Sequence, residues 1–360
     1  MSHPATDAAA PRAAGSAGSA PQADEGTPGG ARTFARRSRS RSGADAAGWA
    51  FVTPNMVVLL LFLFLPLVLT WVVSFQAATP LGSRGWVGLQ NYVRLAEDPV
   101  FWRVLLNSVV FTVLTVPVSM GLGLAFAVLL DKAMPARGLF RTAIYLPIVL
   151  SNLVTSLMGL LLFNEGVGVV NGLLRGLGLD GLPWQSNGAL AMLSVVLMTV
   201  WTRVGFAMVI YLAALQDVPG ELHEAGRLDG ATPWQLFWHI TRPLLGPATL
   251  FLLVMNVIWS FQIFDIVYVM TGGGPGNSTS MLVTYAYDQG FGPARDFGYG
   301  SAIGVVLFLL TLGLTAFQLR SPGSGATGPS RRELRARRRR GGSRAAARTR
   351  PASRSTEDPS

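Results

Sequence analysis

The sequence has no cysteine, one lysine and three histidines in 360 residues. Without cysteine there are no disulfides and no thiolate metal sites. The lysine, Lys132, follows Asp131, and no Gly-Lys-Ser/Thr occurs anywhere, so the chain lacks a phosphate-cradling P-loop. His3, His223 and His239 show no metal-ligand spacing and read as surface or packing residues. No local motif suggests a Ser-His-Asp arrangement. Charge is scarce as well: 13% of residues are charged, against about 25% in an ordinary soluble domain. These absences leave little room for an enzyme and point away from a soluble fold.

What remains is apolar. Half the residues are hydrophobic and mean hydropathy is +0.41. Six runs reach the length needed to cross a bilayer, about 20 mostly apolar residues: 48–75, 104–130, 142–163, 189–215, 248–270 and 297–319. Only the fourth and fifth contain a formal charge, Arg203 and Asp265. None alternates with period two, so the runs predict helices, which satisfy their backbone groups internally in lipid. The expectation is an all-α integral membrane protein with six transmembrane helices over 48–319.

The two ends differ from this block. Residues 1–47 are rich in Ala, Gly, Ser and Pro and read as a disordered tail. Residues 320–360 are dominated by arginine, including 337–340. With the N-terminus inside, the inner segments carry 6, 3, 2 and 12 Lys and Arg, and the outer loops 3, 1 and 1. The positive-inside rule then puts both termini in the cytoplasm. No aromatic residues interleave with the arginines of the second tail, so anionic lipid, not nucleic acid, is its expected partner.

One inner loop, 216–247, is not basic: Asp217, Glu221, Glu224 and Asp229 outnumber Arg227 and Arg242. Pro219 and Glu221 suit a first helical turn. Gly230 supplies a residue tolerant of positive φ where that helix ends near Leu228. Thr232-Pro233-Trp234-Gln235 fits a capping box that opens a second helix. Trp234, Phe237, Trp238 and Thr241 share one face at three- and four-residue steps, expected to pack on the membrane helices. Pro243 and Pro247 are expected to end the element. The small residues Ala225, Gly226, Gly230 and Ala231 around the turn would let another backbone approach, which makes a docking knob. A surface helix resting on lipid is the alternative.

This loop resembles the EAA loop of ABC importer permeases: Glu224-Ala225-Gly226, then Asp229-Gly230-Ala231, then Ile240-Thr241-Arg242-Pro243. Gly226 stands where that pattern has a second alanine, and Arg242 where it has leucine. FDIVYVMTGGGPGNST at 264–279 and the run from NSVVFTVLTVP (107–117) to FRTAIYLPIVLSNLV (140–154) resemble the binding-protein-dependent sugar permeases related to the maltose-transporter subunit. The resemblance covers roughly 50–319. It implies an ABC type I importer permease fold, in the bacterial cytoplasmic membrane. It also implies a second permease subunit, a cytoplasmic ABC ATPase dimer that holds ATP and Mg, an extracellular solute-binding protein, and no cofactor in this chain.

Charges facing lipid are costly, so Arg203 and Asp265 are expected to face the bundle interior. Around them stand Trp201, Thr202 and Phe206 in the fourth run, and Asn256, Trp259, Ser260, Gln262 and Tyr268 in the fifth. Donors, acceptors and flat rings together suit a hydroxyl-rich ligand better than an ion. The resemblance implies sugar contacts near Thr202, Arg203, Phe206, Ser260 and Gln262. The bland alternative is interhelical hydrogen bonding, including an Arg203–Asp265 pair. In the sixth run, Gly300 and Gly304 form a GxxxG that suggests close helix packing. Asn277-Ser278-Thr279 matches a glycosylation sequon but reads as a loop.

The competing functions are an ion-gradient-driven secondary transporter or channel, for which only Asp265 is a candidate ion ligand, and a membrane-anchored scaffold, which six spans fit poorly. Because the chain has no cysteine, topology is open to a clean test. A cysteine at Ser83 should label from outside intact cells and one at Thr232 should not; external labelling at Thr232 would overturn the orientation.

Overall fold

The computed structural model describes residues 41–132 and 135–320; most of both expected tails, with His3 and the arginines at 337–340, lies outside the described residues. Two units divide between Val58 and Leu59. The described part of the first is helix α1 (Arg41–Leu59) up to Val58, which takes in residues 41–47, assigned to the tail on composition.

The second unit begins with a wide π-turn, Leu60–Phe64, that leads into α2 (Leu65–Ser74). A short hairpin follows, β1 (Gln76–Thr79) and β2 (Gly82–Trp86), antiparallel with Gln76 opposite Trp86 and Thr79 opposite Gly82. It is a small addition to the all-α expectation, turned by Pro80 and by Gly82 at φ +120°. Then come α3 (Gln90–Glu97), α4 (Pro99–Asp131), α5 (Arg137–Val149), α6 (Asn152–Leu162), α7 (Val169–Gly176) and α8 (Gly188–Gln216). The loop carries α9 (Gly220–Leu228), α10 (Pro233–Leu236), a second π-turn (Phe237–Thr241) and α11 (Arg242–Leu244). The last elements are α12 (Gly246–Phe261), α13 (Asp265–Met270), α14 (Leu282–Phe291) and α15 (Phe297–Arg320).

Among the described residues, four segments are long and apolar enough to cross a membrane: Trp49–Ser74, Pro99–Asp131, Gly188–Gln216 and Phe297–Arg320. The third and fifth apolar runs, expected as single helices, are broken. Arg137–Val149 meets Asn152–Leu162 at 98°, with Leu150 and Ser151 extended, and Pro233–Leu244 meets Gly246–Phe261 at 65°. The fifth run breaks again at 262–264, before α13. Counting each bent pair as one span makes six.

Both π-turns end two residues before a proline, Pro66 and Pro243. A proline ring clashes with the carbonyl four residues back, and a widened turn moves that carbonyl away. Pro243 therefore starts a new turn and does not end the element; Pro247 likewise lies in the first turn of α12.

Glycine sets the closest helix contacts. A Cβ on Gly123 of α4 would lie 2.5 Å from that of Ala207 on α8, and one on Gly205 would strike the Ile144 carbonyl of α5. Such approaches replace the hydrophobic drive that is absent between helices in lipid. The GxxxG of α15 works at one position: a Cβ on Gly300 would meet Ala286 and Gly290 of α14 at 3.0 Å, whereas Gly304 faces open space.

At the end where α4 begins, Asp98 caps that helix, accepting from the Val100 N–H at 2.8 Å. It also accepts from the hydroxyls of Tyr285 and Tyr299, which ties α14 and α15 to α4. Arg94 lies over the Tyr299 ring at 4.1 Å and pairs with Asp296 at 2.8 Å. Burial by itself would raise the Asp98 pKa; the hydrogen bonds from both tyrosines and from the backbone outweigh it and hold the carboxyl below 3.8. The Tyr285 hydroxyl is pushed up to about 12 by burial and by its bond to Asp98. A carboxylate with a depressed folded pKa stabilises above its unfolded value, and that contribution is lost as pH falls through the folded one. Tyr285→Phe should therefore cost about 1–3 kcal/mol near neutral pH, in denaturant unfolding of the detergent-solubilised protein, and the gap to the parent should shrink below pH 3.8.

Candidate functional site

The loop forms first from local rules. α9 ends in a Schellman turn: Ala231 N–H donates to the Gly226 carbonyl at 2.9 Å and Gly230 N–H to the Arg227 carbonyl at 3.0 Å, with Gly230 at φ +81°. The capping box is made, with Thr232 N–H donating to Gln235 Oε1 at 2.8 Å and Gln235 N–H to Thr232 Oγ1 at 3.4 Å. Gly226 is the contact point between the two helices. A Cβ there would come within 2.5 Å of Leu236 Cδ2 and 3.3 Å of Ile240 Cδ1. His223 Nε2 and Thr241 Oγ1, 3.0 Å apart, add a polar stitch. No residue of α9 is buried, and Glu224, Ala225, Asp229 and Gly230 are exposed.

The aromatic face differs from expectation. The side chains buried behind the loop are Leu236 and Thr241, while Trp234 is 69% and Trp238 38% exposed. Trp234, Phe237 and Trp238 pack on one another at 5.5–6.4 Å, and the Arg242 guanidinium lies 4.6 Å over the Trp238 ring. The three rings keep the shared face that their spacing predicts, but Leu236, not that face, is turned inward. Arg242, the departure from the EAA pattern, is held by that cation–π contact.

The second feature is a cavity of about 280 Å³ at the helix breaks, lined by residues of α5, α6, α8, α12 and the 262–266 stretch. Thr202, Arg203, Gln262 and Asp265 line it, with Trp259, Asn152 and Phe264. Phe206 stands behind, its ring 5.1 Å from that of Trp259. Ser260 is buried and accepts from Arg203 at 2.7 Å. The Arg203–Asp265 pair is not formed: Asp265 accepts instead from Asn152 Nδ2 at 3.2 Å. The cavity thus offers a guanidinium, a carboxylate, an amide and ring faces, none of the two charges cancelled by the other.

Trp259 was legible as a ring among the polar residues of the fifth run; Asn152 was not singled out, because the break beside it was not expected. The knot after α6 carried a weaker signal. Buried Asn171 bonds Glu165 and Leu182 carbonyls, the Leu182 N–H and the Trp184 indole at 2.9–3.0 Å. The Glu165 carboxylate accepts from Ser186 and Gln185 backbone and the Ser186 hydroxyl, which lower its pKa.

Residues 50–320 match the family described as binding-protein-dependent transport system inner membrane component. The chain belongs to that family. It is an ABC importer permease and a multi-pass protein of the cytoplasmic membrane, which sets aside the ion-gradient and scaffold readings. The permease is 36% identical over 278 residues to the probable ABC transporter permease protein YurN of Bacillus subtilis, covering 76% of this chain and 94% of the relative. It is 32% identical over 274 residues to the trehalose/maltose transport system permease protein MalF of Thermococcus litoralis, covering 76% and 92%. A chain in the crystal structure of a bacterial ABC transporter involved in import of the acidic polysaccharide alginate has the same fold, with a TM-score of 0.71 at 23% identity over 80% of this chain and 98% of that one. That likeness supports the type I importer fold.

The unpaired charges make a sharp prediction about the cavity. Asp265→Asn should change stability by less than about 1 kcal/mol, because no ion pair is broken. Loss of a buried ion pair would cost about 3–5 kcal/mol. Unfolding of the two proteins in mixed micelles distinguishes these outcomes.

Proposed function

We propose that this permease translocates a carbohydrate, delivered by an extracellular solute-binding protein, and that a separate cytoplasmic ATPase dimer drives it through the loop at 216–247. It pairs with a second permease subunit, and ATP and Mg²⁺ bind in the ATPase. In this reading both termini and the loop are cytoplasmic, which the arginine distribution supports. The observation that carries the reading is one continuous stretch: the exposed knob of α9 and α10 leads through a 65° bend into α12, whose far end brings Trp259, and just past it Gln262, to the cavity.

Glu224 and Asp229 offer charge-assisted hydrogen bonds to the ATPase. Ala225, Gly230 and Ala231 leave room for its backbone. Gly226 locks α9 onto Leu236 and Ile240, so a push on α9 moves the second helix with it, and Pro243 passes the motion to α12. In the cavity, Asp265 and Gln262 accept from sugar hydroxyls, Arg203, held by Ser260, donates to ring oxygens, and Thr202 meets the hydroxyl edge. Trp259, backed by Phe206, takes a C–H face. The names of relatives such as the trehalose/maltose permease support a sugar cargo.

The test uses the native transporter, with uptake of trehalose, maltose and longer sugars as readout. Glu224→Ala should weaken ATPase attachment and lower uptake roughly tenfold or more, as loss of a charge-assisted bond would. Gly230→Val should do worse, because a β-branched residue resists φ +81°. Membrane insertion should be unchanged in both. Normal ATPase binding and uptake in the two variants would make the loop a surface helix on the bilayer.

A further inference from the structure

Beside the cavity runs a second set of rings that the transport reading does not use. Phe264 lines the cavity and stacks on Tyr268, centroids 5.0 Å apart and planes 16° from parallel. Both rings meet Tyr287 of α14, at 5.1 and 5.4 Å. Tyr287 stacks on Phe291 one helical turn later, at 5.4 Å and 27°, and Phe291 touches Phe297 at 5.2 Å. Five rings therefore form an unbroken ladder from the cavity lip along α14 to the start of α15. It is not a core, because Tyr268, Tyr287 and Phe291 are 44%, 38% and 68% exposed. Nor is α14 a spanning helix: it has ten residues and carries Asp288 and Gln289 next to Tyr287.

We propose that this ladder is an aromatic slide for a sugar chain, leading from the outer face into the cavity. The inference rests on the carbohydrate reading above and deepens it, naming an oligosaccharide as cargo. Rings present flat apolar faces to the C–H faces of successive sugar units, while tyrosine hydroxyls keep the path wet for sugar hydroxyls. The cavity of about 280 Å³ lies near the lower limit for small-molecule sites, about 300 Å³, so it holds one or two units at a time. The remaining units of a longer chain need a surface outside it, and the ladder begins at the cavity's own wall. Continuity through Phe264 favours sugar over the other occupant of such a face, the second permease subunit.

The experiment uses cells carrying the complete native transporter and radiolabelled maltose, trehalose, maltotriose and arabinotriose as probes. The reporter is the longest of these whose uptake is lost when the chain is deleted. Tyr287→Leu and Phe291→Leu keep apolar bulk and remove the flat ring; Phe308→Leu, on an exposed face of α15 away from the ladder, is the control. Each ladder variant should lower reporter uptake roughly three- to tenfold, with the second permease and ATPase still co-purifying and the control unchanged. Wild-type uptake in both ladder variants would overturn the slide and leave the sugar reading standing. Loss of the second permease on co-purification would also overturn it, because the face would then be a subunit interface. If no probe depends on the chain, the carbohydrate reading itself fails and the slide falls with it.

Discussion

The structure depends on how it handles broken helices at membrane depth. In hydrocarbon, non-helical backbone is tolerated only where protein covers it or where it lines a polar cavity. The breaks at 150–151 and 262–264 meet this condition together. Asn152, just past the first, donates to Asp265, just past the second, and both open onto the same cavity. The cavity is the space that two interrupted helices leave when each shields the other. Arg203 can stand mid-span because that space exists, with Ser260 as acceptor and cavity around the rest of its guanidinium.

Close packing around the cavity keeps the breaks in place. α8 is approached at backbone distance on two sides, through Gly123 of α4 and its own Gly205 against α5. Gly159 of α6 admits Met270 and Met198, which seats α13 against α6. The loop 271–281 is tied to α4 by Asn107, which donates to the Asn277 and Ser280 carbonyls. At the same end the Asp98 carboxylate gathers Tyr285 and Tyr299. Helices that are broken in the middle are thus pinned at their ends.

The loop shows how departures from a family pattern can be local solutions. Gly226 in place of alanine makes room for Leu236, and Arg242 in place of leucine finds the Trp238 ring. Each is compensated within a few residues, so the helix–turn–helix geometry that supports the proposed coupling survives both.

Much of this was legible in the sequence because its causes are local. Hydropathy over twenty residues marks every apolar run; Thr232 with Gln235 marks a capping box; Gly230 after Leu228 marks the turn; Thr202, Arg203, Gln262 and Asp265 are recognisable as polar residues that must avoid lipid. The partners of those residues were not legible. Arg203 and Asp265 are the only two charges in the six apolar runs, yet helix crossings place Ser260 beside one and Asn152 beside the other. Trp234 and Trp238 fit a buried stripe by 3.6-residue steps, yet packing turned Leu236 and Thr241 inward and left the two indoles in the open. The aromatic ladder joins Phe264 and Tyr268 to Tyr287 and Phe291 across the loop 271–281, over which periodicity carries no information. Composition and short-range chemistry therefore determined which segments cross the membrane and where they are capped. Only tertiary packing decided which polar groups and rings meet, because those contacts depend on break angles and close backbone approaches far apart in the chain.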